Sequence, residues 1–460
     1  MTLTRREFLA TAAAVPSLAY AQDSPNERLR VAVIGVRGRG ANHVSMWHRL
    51  KDVEVAAICD VDPSVIKEPM AEVEKRTGKR PAYYKDVRKL LEDKSIDAVS
   101  IATPNHWHSL AAIWAVEAGK DAYVEKPISH NVWEGRRLVE AARKHGRCVA
   151  NGTQSRSKKS IRDAIAYLHA GKLGKVKLAT ALCYKDRRSI GKKADAPVPE
   201  GVDYDLWLGP APVGAFNPDR FHYEWHWNWD YGNGDIGNQG AHQMDVARWG
   251  LGKSDGPKSV VSLGGRFGYE DDGQTPNTQI AVLDYGDCKI VFEVRGLVTE
   301  PYRKQHIGVV FHAEQGSLVI GNLENAAYGP DGEQIQRFSG GDDTQHFRNF
   351  VDAVRARKPE MLTADALEGH LSASLHHLAN ISHRLGSPQP MSKDEPLGKY
   401  EEGNEAFRRF REHLTKNGVD AAKTPVVVGP TLAFDAKTEK FGDERADALL
   451  TREYRKPFTP

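Results

Sequence analysis

The sequence predicts an α/β chain in two parts: an N-terminal doubly wound parallel sheet, then a C-terminal α+β domain with an open, mostly antiparallel sheet. Three observations lead there. Over residues 29–150, short apolar runs alternate with helix-like segments, the rhythm of parallel strands joined by crossover helices. Past Asn151 the texture changes to long stretches of alternating apolar and polar residues, which suits antiparallel strands with one buried face. A chain of 460 residues with 40% hydrophobic content also exceeds what a single core usually holds.

In chain order, Thr4-Arg5-Arg6-Glu7-Phe8-Leu9 precedes a weakly apolar run and then Ala19-Tyr20-Ala21. This is the pattern of a twin-arginine export signal over residues 1–21, with an A-x-A cleavage site. The apolar run is shorter than the roughly 20 residues of a bilayer span, and no later stretch is longer. The expected mature chain is therefore soluble, without a membrane span, and periplasmic or secreted after passing the twin-arginine translocation machinery.

Residues 29–150 make the expected dinucleotide-binding domain. Strands are read at residues 30–34, 53–59, 98–102, 122–124 and 148–150, and helices at 40–50, 63–77, 87–92, 108–118 and 131–145. Several of the helices end on glycine, as helices commonly do. Residues 151–386 make the α+β domain, for the substrate and for oligomer contacts. It has a helix at 161–169, strands at 176–184, 260–267, 278–285, 290–294 and 308–313, and helices at 346–357 and 364–384. Residues 387–460 are polar and proline-rich, with one more helix at 404–415, and read as a wrapping C-terminal extension.

Lysine and arginine number 64 against 61 acidic residues. The basic residues are scattered in pairs such as Lys158-Lys159 and Arg187-Arg188, with no single stripe, so the charge pattern does not indicate nucleic-acid binding. Cys59, Cys148, Cys183 and Cys288 lie far apart in apolar surroundings without a CxxC spacing and read as buried free thiols.

Residues 30–34 run into Gly35-Val36-Arg37-Gly38-Arg39-Gly40 and then a helix. Strand, glycine turn and helix start together give close backbone approach and free N–H groups for a pyrophosphate. The middle glycine of G-x-G-x-x-G falls on Arg37, so the pattern is imperfect. Asp60 strengthens it, ending the second strand twenty-five residues after Gly35. A carboxylate there accepts from ribose hydroxyls and repels a 2′-phosphate, which favours NAD, while Arg37 and Arg39 leave room for NADP. Asp62 reads as the N-cap of the helix starting at Pro63.

Three further segments fall at strand ends, where such a sheet binds ligands: Thr103-Pro104-Asn105-His106-Trp107-His108, Glu125-Lys126-Pro127, and the region 232–245. With the glycine turn and Asp60, these resemble the Gfo/Idh/MocA family of oxidoreductases over roughly residues 29–386, and E-K-P is the most specific element. The resemblance implies a Rossmann domain followed by an α+β domain, with cofactor and substrate meeting between them. It implies that Lys126 is the catalytic lysine, and that Thr103, Pro104, Asn105, His108, Glu125 and Gln154 join Gly35, Arg37, Gly38, Arg39, Gly40 and Asp60 around the cofactor. Arg156 resembles part of the same crossover segment as Gln154. Trp107 reads as packing, and no metal is expected, although His106 and His108 taken alone also suit one.

Lysine suits the assigned role. Partly desolvated beside a cofactor, its pKa falls towards about 7 to 8, where it takes and returns a hydroxyl proton. His242 falls on the family's catalytic histidine, but the aspartate usual four residues earlier is here Asn238, which orients a hydroxyl and cannot act as a base. Asp235, Asn238, His242 and Asp245 share one face if the helix starts early. Gly234, Gly237 and Gly240 argue that it starts late, which leaves Asp235 either catalytic or an N-cap. In residues 221–231 every odd position is aromatic and every even one polar, as in an extended segment that either packs or lines a sugar site.

The expected activity is hydride transfer between a sugar or polyol hydroxyl carbon and tightly bound NAD, with Lys126 as acid and base. Export requires the cofactor to be loaded beforehand and recycled in place. One route is a redox-neutral glycosidase, in which transient oxidation drives elimination of the glycosidic group. A non-catalytic cofactor-binding sensor is the third reading. By resemblance the chain is expected to form a homo-dimer or tetramer.

Overall fold

The computed structural model describes residues 28–460, so the twin-arginine segment lies outside the described residues. The first part alternates strand and helix: β1 (Leu29–Ile34), α1 (Arg39–Trp47), β2 (Val53–Cys59), α2 (Lys67–Thr77), β3 (Ala82–Tyr84), α3 (Val87–Glu92), β4 (Ala98–Ile101), α4 (Asn105–Glu117), β5 (Asp121–Val124), α5 (Val132–His145) and β6 (Val149–Asn151). All six strands are parallel, in the order β3-β2-β1-β4-β5-β6. Crossovers of one hand send the chain outward from β1 in one direction and, from β4, in the other. A crevice opens between the carboxyl ends of these two strands.

Pleating divides β1 between two cores: Val31 and Val33 pack with Trp47, Met70 and Val73, while Ala32 and Ile34 pack with Leu110 and Ala111. Burying each such side chain is worth roughly 1.5–3 kcal/mol, which holds helices on both faces.

The second part begins with α6 (Lys159–His169), β7 (Val176–Tyr184), α7 (Tyr204–Leu208), α8 (Gly234–Gly237) and α9 (Gly240–Gly250). There follow β8 (Ser259–Gly265), β9 (Thr278–Asp284), β10 (Lys289–Arg295), β11 (Ile307–Ala313), β12 (Gly316–Gly321), β13 (Asn325–Tyr328), β14 (Gln334–Arg337), α10 (Thr344–Ala356) and α11 (Ala366–Arg384). The remaining residues supply β15 (Ser387–Pro390), α12 (Glu401–Lys416), β16 (Pro425–Val428), β17 (Leu432–Ala433) and α13 (Glu444–Ala448). The large sheet runs β14-β13-β12-β11-β7-β10-β9-β8-β16-β15 with β17 also on β8, and its pairs are antiparallel except β7 with β10. Helices α6, α9 and α11 cover one face. Over β8 to β10 the other face is covered by α12, whose Phe407, Phe410 and Leu414 pack on Val261, Ile280 and Val282.

Packing does not follow chain order throughout. Helix α10 returns to the parallel sheet, where Phe347 stacks on Tyr123 with ring centroids 4.6 Å apart and meets Trp47 edge-on. All four cysteines are free and buried. None of the described helices is long and apolar enough to cross a membrane.

Two local expectations are corrected. Helix α2 begins at Lys67, not Pro63, because Asp62 Oδ1 accepts from the Ser64 N–H at 2.9 Å and caps a separate turn. The aromatic stretch 221–231 is not extended. Glu224–Trp227 winds as a 3₁₀ turn, with its N–H groups bonded locally, as in Asn228 to the Trp225 carbonyl. Tyr223 is thereby exposed, Trp227 is buried, and His226 stacks on Trp225 at 3.6 Å. Alternation makes a strand only where a partner strand takes up the backbone groups.

Candidate active site

Three glycines shape the turn after β1. Gly35 has φ +76°, and a Cβ there would stand 2.9 Å from the Ala102 carbonyl oxygen and the Thr103 nitrogen. A Cβ on Gly40 would fall 1.7 Å from the Gly35 oxygen, so α1 seats directly on the turn. Gly38, at φ +57° with open space around it, is the N-cap of α1. Arg37, at the irregular middle position, is exposed and lines the cleft. The first turn of a helix carries unbonded N–H groups that favour an anion.

Asp60 closes β2 beside this turn. Its Oδ2 accepts from the Val36 N–H at 2.9 Å and its Oδ1 from the Asp62 N–H at 3.0 Å. Burial nevertheless pushes its pKa up to about 6. The carboxylate faces the cleft with acceptor capacity left for a ribose diol. A turn that tolerates no Cβ, an open helix start and an acidic β2 terminus together fit a dinucleotide.

From the turn, a cleft of about 520 Å³ runs between the parallel sheet and α9. At its centre is Glu125, just past the end of β5. Its Oε1 accepts from Arg39 Nε at 2.7 Å, His43 Nε2 at 3.0 Å and Gln154 Nε2 at 3.2 Å, and its Oε2 accepts from the Lys126 N–H at 3.1 Å. Burial raises the Glu125 pKa, but Arg39 and His43 outweigh it and hold the carboxyl well below its usual range. Ser100 Oγ accepts from Trp47 Nε1 and meets His43 Nδ1, both at 2.9 Å. With the Ser100 proton on Nδ1, neutral His43 carries its own on Nε2, facing Glu125.

Lys126 points across the cleft and donates to the Asn238 carbonyl at 2.8 Å and to Asn238 Oδ1 at 3.5 Å. Burial lowers its pKa to about 8; Glu125 pulls upward, and Arg39 and Lys185 pull downward. The chain between α8 and α9 breaks at Asn238, where ψ is −86°, so the four residues spaced 3, 4 and 3 apart separate. Asp235 is buried on Arg187, at 2.6 and 2.9 Å. Asp245 is buried on Arg156, at 2.9 and 3.0 Å. Asn238 and His242 remain in the cleft. Burial and then Lys126 push the His242 pKa down to about 3, so its imidazole is neutral and offers one donor and one acceptor.

The remaining expected residues divide as follows. Thr103, Pro104, Asn105, His108 and Gln154 all line the cleft. His108 is wedged between two carbonyls, Pro127 at 2.6 Å and Thr103 at 2.8 Å, and Asn105 Nδ2 donates to Asn233 Oδ1 at 3.0 Å. Trp107 lines the cleft and also packs on Trp114 and Phe458. His106 turns away to the Trp207 carbonyl, and Arg156 is taken up by Asp245 and Glu368.

Sequence reasoning missed His43, Lys185, Tyr223 and Gln239. His43 was findable, because it lies four residues after Arg39 on one helix face and both reach Glu125. Lys185 follows directly on β7, another strand-end position. Tyr223 was hidden by the expected strand, and its hydroxyl accepts from Arg187 at 3.2 Å and from Asn238 Nδ2 at 3.4 Å.

Residues 29–153 match the NAD-binding Rossmann fold of the Gfo/Idh/MocA oxidoreductase family, and residues 175–415 match its C-terminal alpha/beta domain. Among curated proteins, the chain is 40% identical over 120 residues to a glycosyl hydrolase family 109 protein of Shewanella sp. ANA-3. It is 38% identical over 120 residues to an alpha-N-acetylgalactosaminidase of Shewanella oneidensis. Each match covers 25% of this chain and 26% of the relative, so the chain spans about a quarter of the length of these relatives. Among solved structures, the WlbA dehydrogenase of Bordetella pertussis, crystallised with NADH and UDP-GlcNAcA, aligns with TM-score 0.56 at 19% identity over 76% of this chain and 96% of that one. The UDP-N-acetylglucosamine 3-dehydrogenase GnnA of Acidithiobacillus ferrooxidans aligns with TM-score 0.55 at 18% identity, over 77% and 97%. At such identities the likeness is one of fold.

Proposed function

The chain belongs to the Gfo/Idh/MocA family of NAD-binding oxidoreductases, and from that premise we propose that it moves a hydride to or from a hydroxyl-bearing carbon of a sugar or polyol. The observation that carries this reading is Lys126, its pKa drawn to about 8, in the cleft between the glycine turn and His242. When bound, the nicotinamide supplies the hydride acceptor. The neutral amine of Lys126 takes the hydroxyl proton as the adjoining C–H bond gives up its hydride, and the ammonium returns a proton in the reverse direction. Asn238 and neutral His242 orient the hydroxyl, and Glu125, held ionised by Arg39, keeps the neighbouring lysine in place.

A second reading, a redox-neutral glycosidase, is favoured by the family 109 relatives. Oxidation acidifies a neighbouring C–H, the glycosidic group leaves by elimination, water adds, and the hydride returns. It uses the same lysine. Under either reading the Arg5-Arg6 motif supports export of a folded chain with its cofactor retained. A homo-dimer or tetramer belongs to the same proposal; because α12 covers the sheet over β8 to β10, any pairing of sheets uses β7 and β11 to β14, which sedimentation of variants there would test.

The decisive experiment purifies the protein, records nicotinamide absorbance, and offers free sugars and aryl glycosides. Cofactor reduction by a free sugar, abolished in Lys126→Ala, is the expected result. Aglycone release without net reduction would move the assignment to the glycosidase, and bound cofactor with neither reaction would sink both.

A further inference from the structure

Beside the cleft lies a second cavity, of about 320 Å³, between the start of α6, one side of α9 and the ends of β11 to β14. Both open at the same end of the large sheet: Lys185, just past β7, lines the cleft, and Ile307, at the start of the neighbouring β11, lines the cavity. The wall between them includes two side-chain pairs. Gln239, in the cleft, donates to Gln243 Oε1, in the cavity, at 3.4 Å. Lys158, in the cavity, pairs with Asp343, in the cleft, at 3.0 Å.

The cavity is polar but not strongly charged. Lys158 is neutralised by Asp343, Glu324 accepts from the Tyr328 hydroxyl at 2.6 Å, and Arg337 stands on an exposed rim. What faces inward are amides and hydroxyls. Gln243 is 9% exposed, and its amide NH₂ makes no hydrogen bond among the described residues. Asn325 also lines the cavity, with its Oδ1 buried in the wall and without a hydrogen-bond partner. Ser155, Ser160 and Asn322 add further groups, and Val246, Ile320 and Phe338 give an apolar side. Stranded amides facing an apolar wall suit a sugar ring, which offers hydroxyls at its edge and C–H groups on its face. The volume is at the low end of the roughly 300–1,000 Å³ range of ligand sites, enough for one ring and not for a dinucleotide.

We propose that this cavity is a saccharide subsite, holding the sugar residue glycosidically linked to the one that reacts beside Lys126. The inference rests on the sugar-directed reading above and adds that the natural substrate is a di- or oligosaccharide or a larger glycoside.

The test uses the cofactor-loaded protein with glucose, galactose and N-acetylglucosamine against maltose, lactose and chitobiose. At least one disaccharide should show a kcat/KM about tenfold above its monosaccharide, as one to two hydrogen bonds predict. That ratio should fall towards one in Gln243→Ala and in the exposed Asn322→Ala. In parallel, calorimetric binding of the same sugars to Lys126→Ala reads the subsite without turnover, and tighter disaccharide binding, lost on adding Asn322→Ala, is expected there too. Equal ratios for every pair, a preference that both variants leave intact, or no disaccharide binding to Lys126→Ala would overturn the subsite. Lys126-dependent cofactor reduction by a monosaccharide with equal ratios would leave the broader reading standing. Selective disaccharide binding without any turnover would do the reverse.

Discussion

At Lys126 opposing influences act on one proton and burial prevails: it drives the proton off, Glu125 holds it, and Arg39 and Lys185 push it away again. Oxidation of an alcohol needs the free amine, so its rate should rise as pH passes through about 8, while carbonyl reduction, which needs the ammonium, should fall over the same interval. Replacing Glu125 with Gln removes the charge that favours the ammonium, so the inflection should move to lower pH; an unmoved profile would mean that Glu125 acts only structurally. For Asp60→Ala, NAD affinity should fall about tenfold or more through loss of the ribose contact, with less loss for NADP, as cofactor titration would show. Glu125, Lys126 and Asp60 were legible in sequence because each ends a recognisable strand. His43, one helical turn after Arg39, and Lys185, one residue past a strand that was read, were open to the same reasoning; Tyr223 was not, because its place depends on which distant segments meet.

Helix α1 and the turn that precedes it act as one unit because Gly40 rests against Gly35. Gly40→Ala would force its Cβ into the Gly35 carbonyl, prising helix from strand, and should cost about 2–3 kcal/mol of stability together with bound cofactor; denaturant titration and retained nicotinamide absorbance measure the two effects. The elements of residues 29–150 were read to within a few residues, except β3, which is short and half exposed. Their strands are apolar runs buried on both faces and set off by glycines, a pattern that leaves little else for the chain to do. Legibility failed where hydrogen-bond partners, not periodicity, decide the structure. Residues 221–231 alternate like a strand but have no neighbouring strand, and the helical stretch from Asp235 to His242 breaks at Asn238, flanked by glycines that spacing alone could not weigh against the shared face. Strand β14 was missed for the opposite reason: it is wholly exposed and has no apolar face to betray it.

The two sheets are fastened together by segments that chain order would not place there. Helix α10 fills the core of the parallel sheet, and the last residues, read from sequence only as a wrapping extension, tie the cofactor domain to the rest. Arg452 donates to the Asp230 carbonyl at 2.9 Å, Tyr454 to Glu134 at 3.0 Å, and Arg455 to the Gly209 carbonyl at 2.9 Å. Phe458, 1% exposed, closes over Trp107 and Trp114 with ring centroids 5.6 and 6.4 Å away. Trp107 also lines the cofactor cleft, so the tail bears on the wall against which a dinucleotide lies. Truncating a buried phenylalanine costs about 3–5 kcal/mol, less here to the extent that a chain end frays. Phe458→Ala should therefore lower the melting temperature and hasten loss of bound NAD, while a substrate KM measured at saturating NAD stays near its original value, because the residue touches neither Lys126 nor His242. Calorimetry of the wild-type protein should show one transition, coincident with cofactor release, since α10 is part of the parallel sheet's core and α11 packs both on α5 and on β8 and α9 of the other part. Two well-separated transitions, or a Phe458→Ala protein that holds NAD as long as the wild type, would mean that the tail merely lies on the surface it covers.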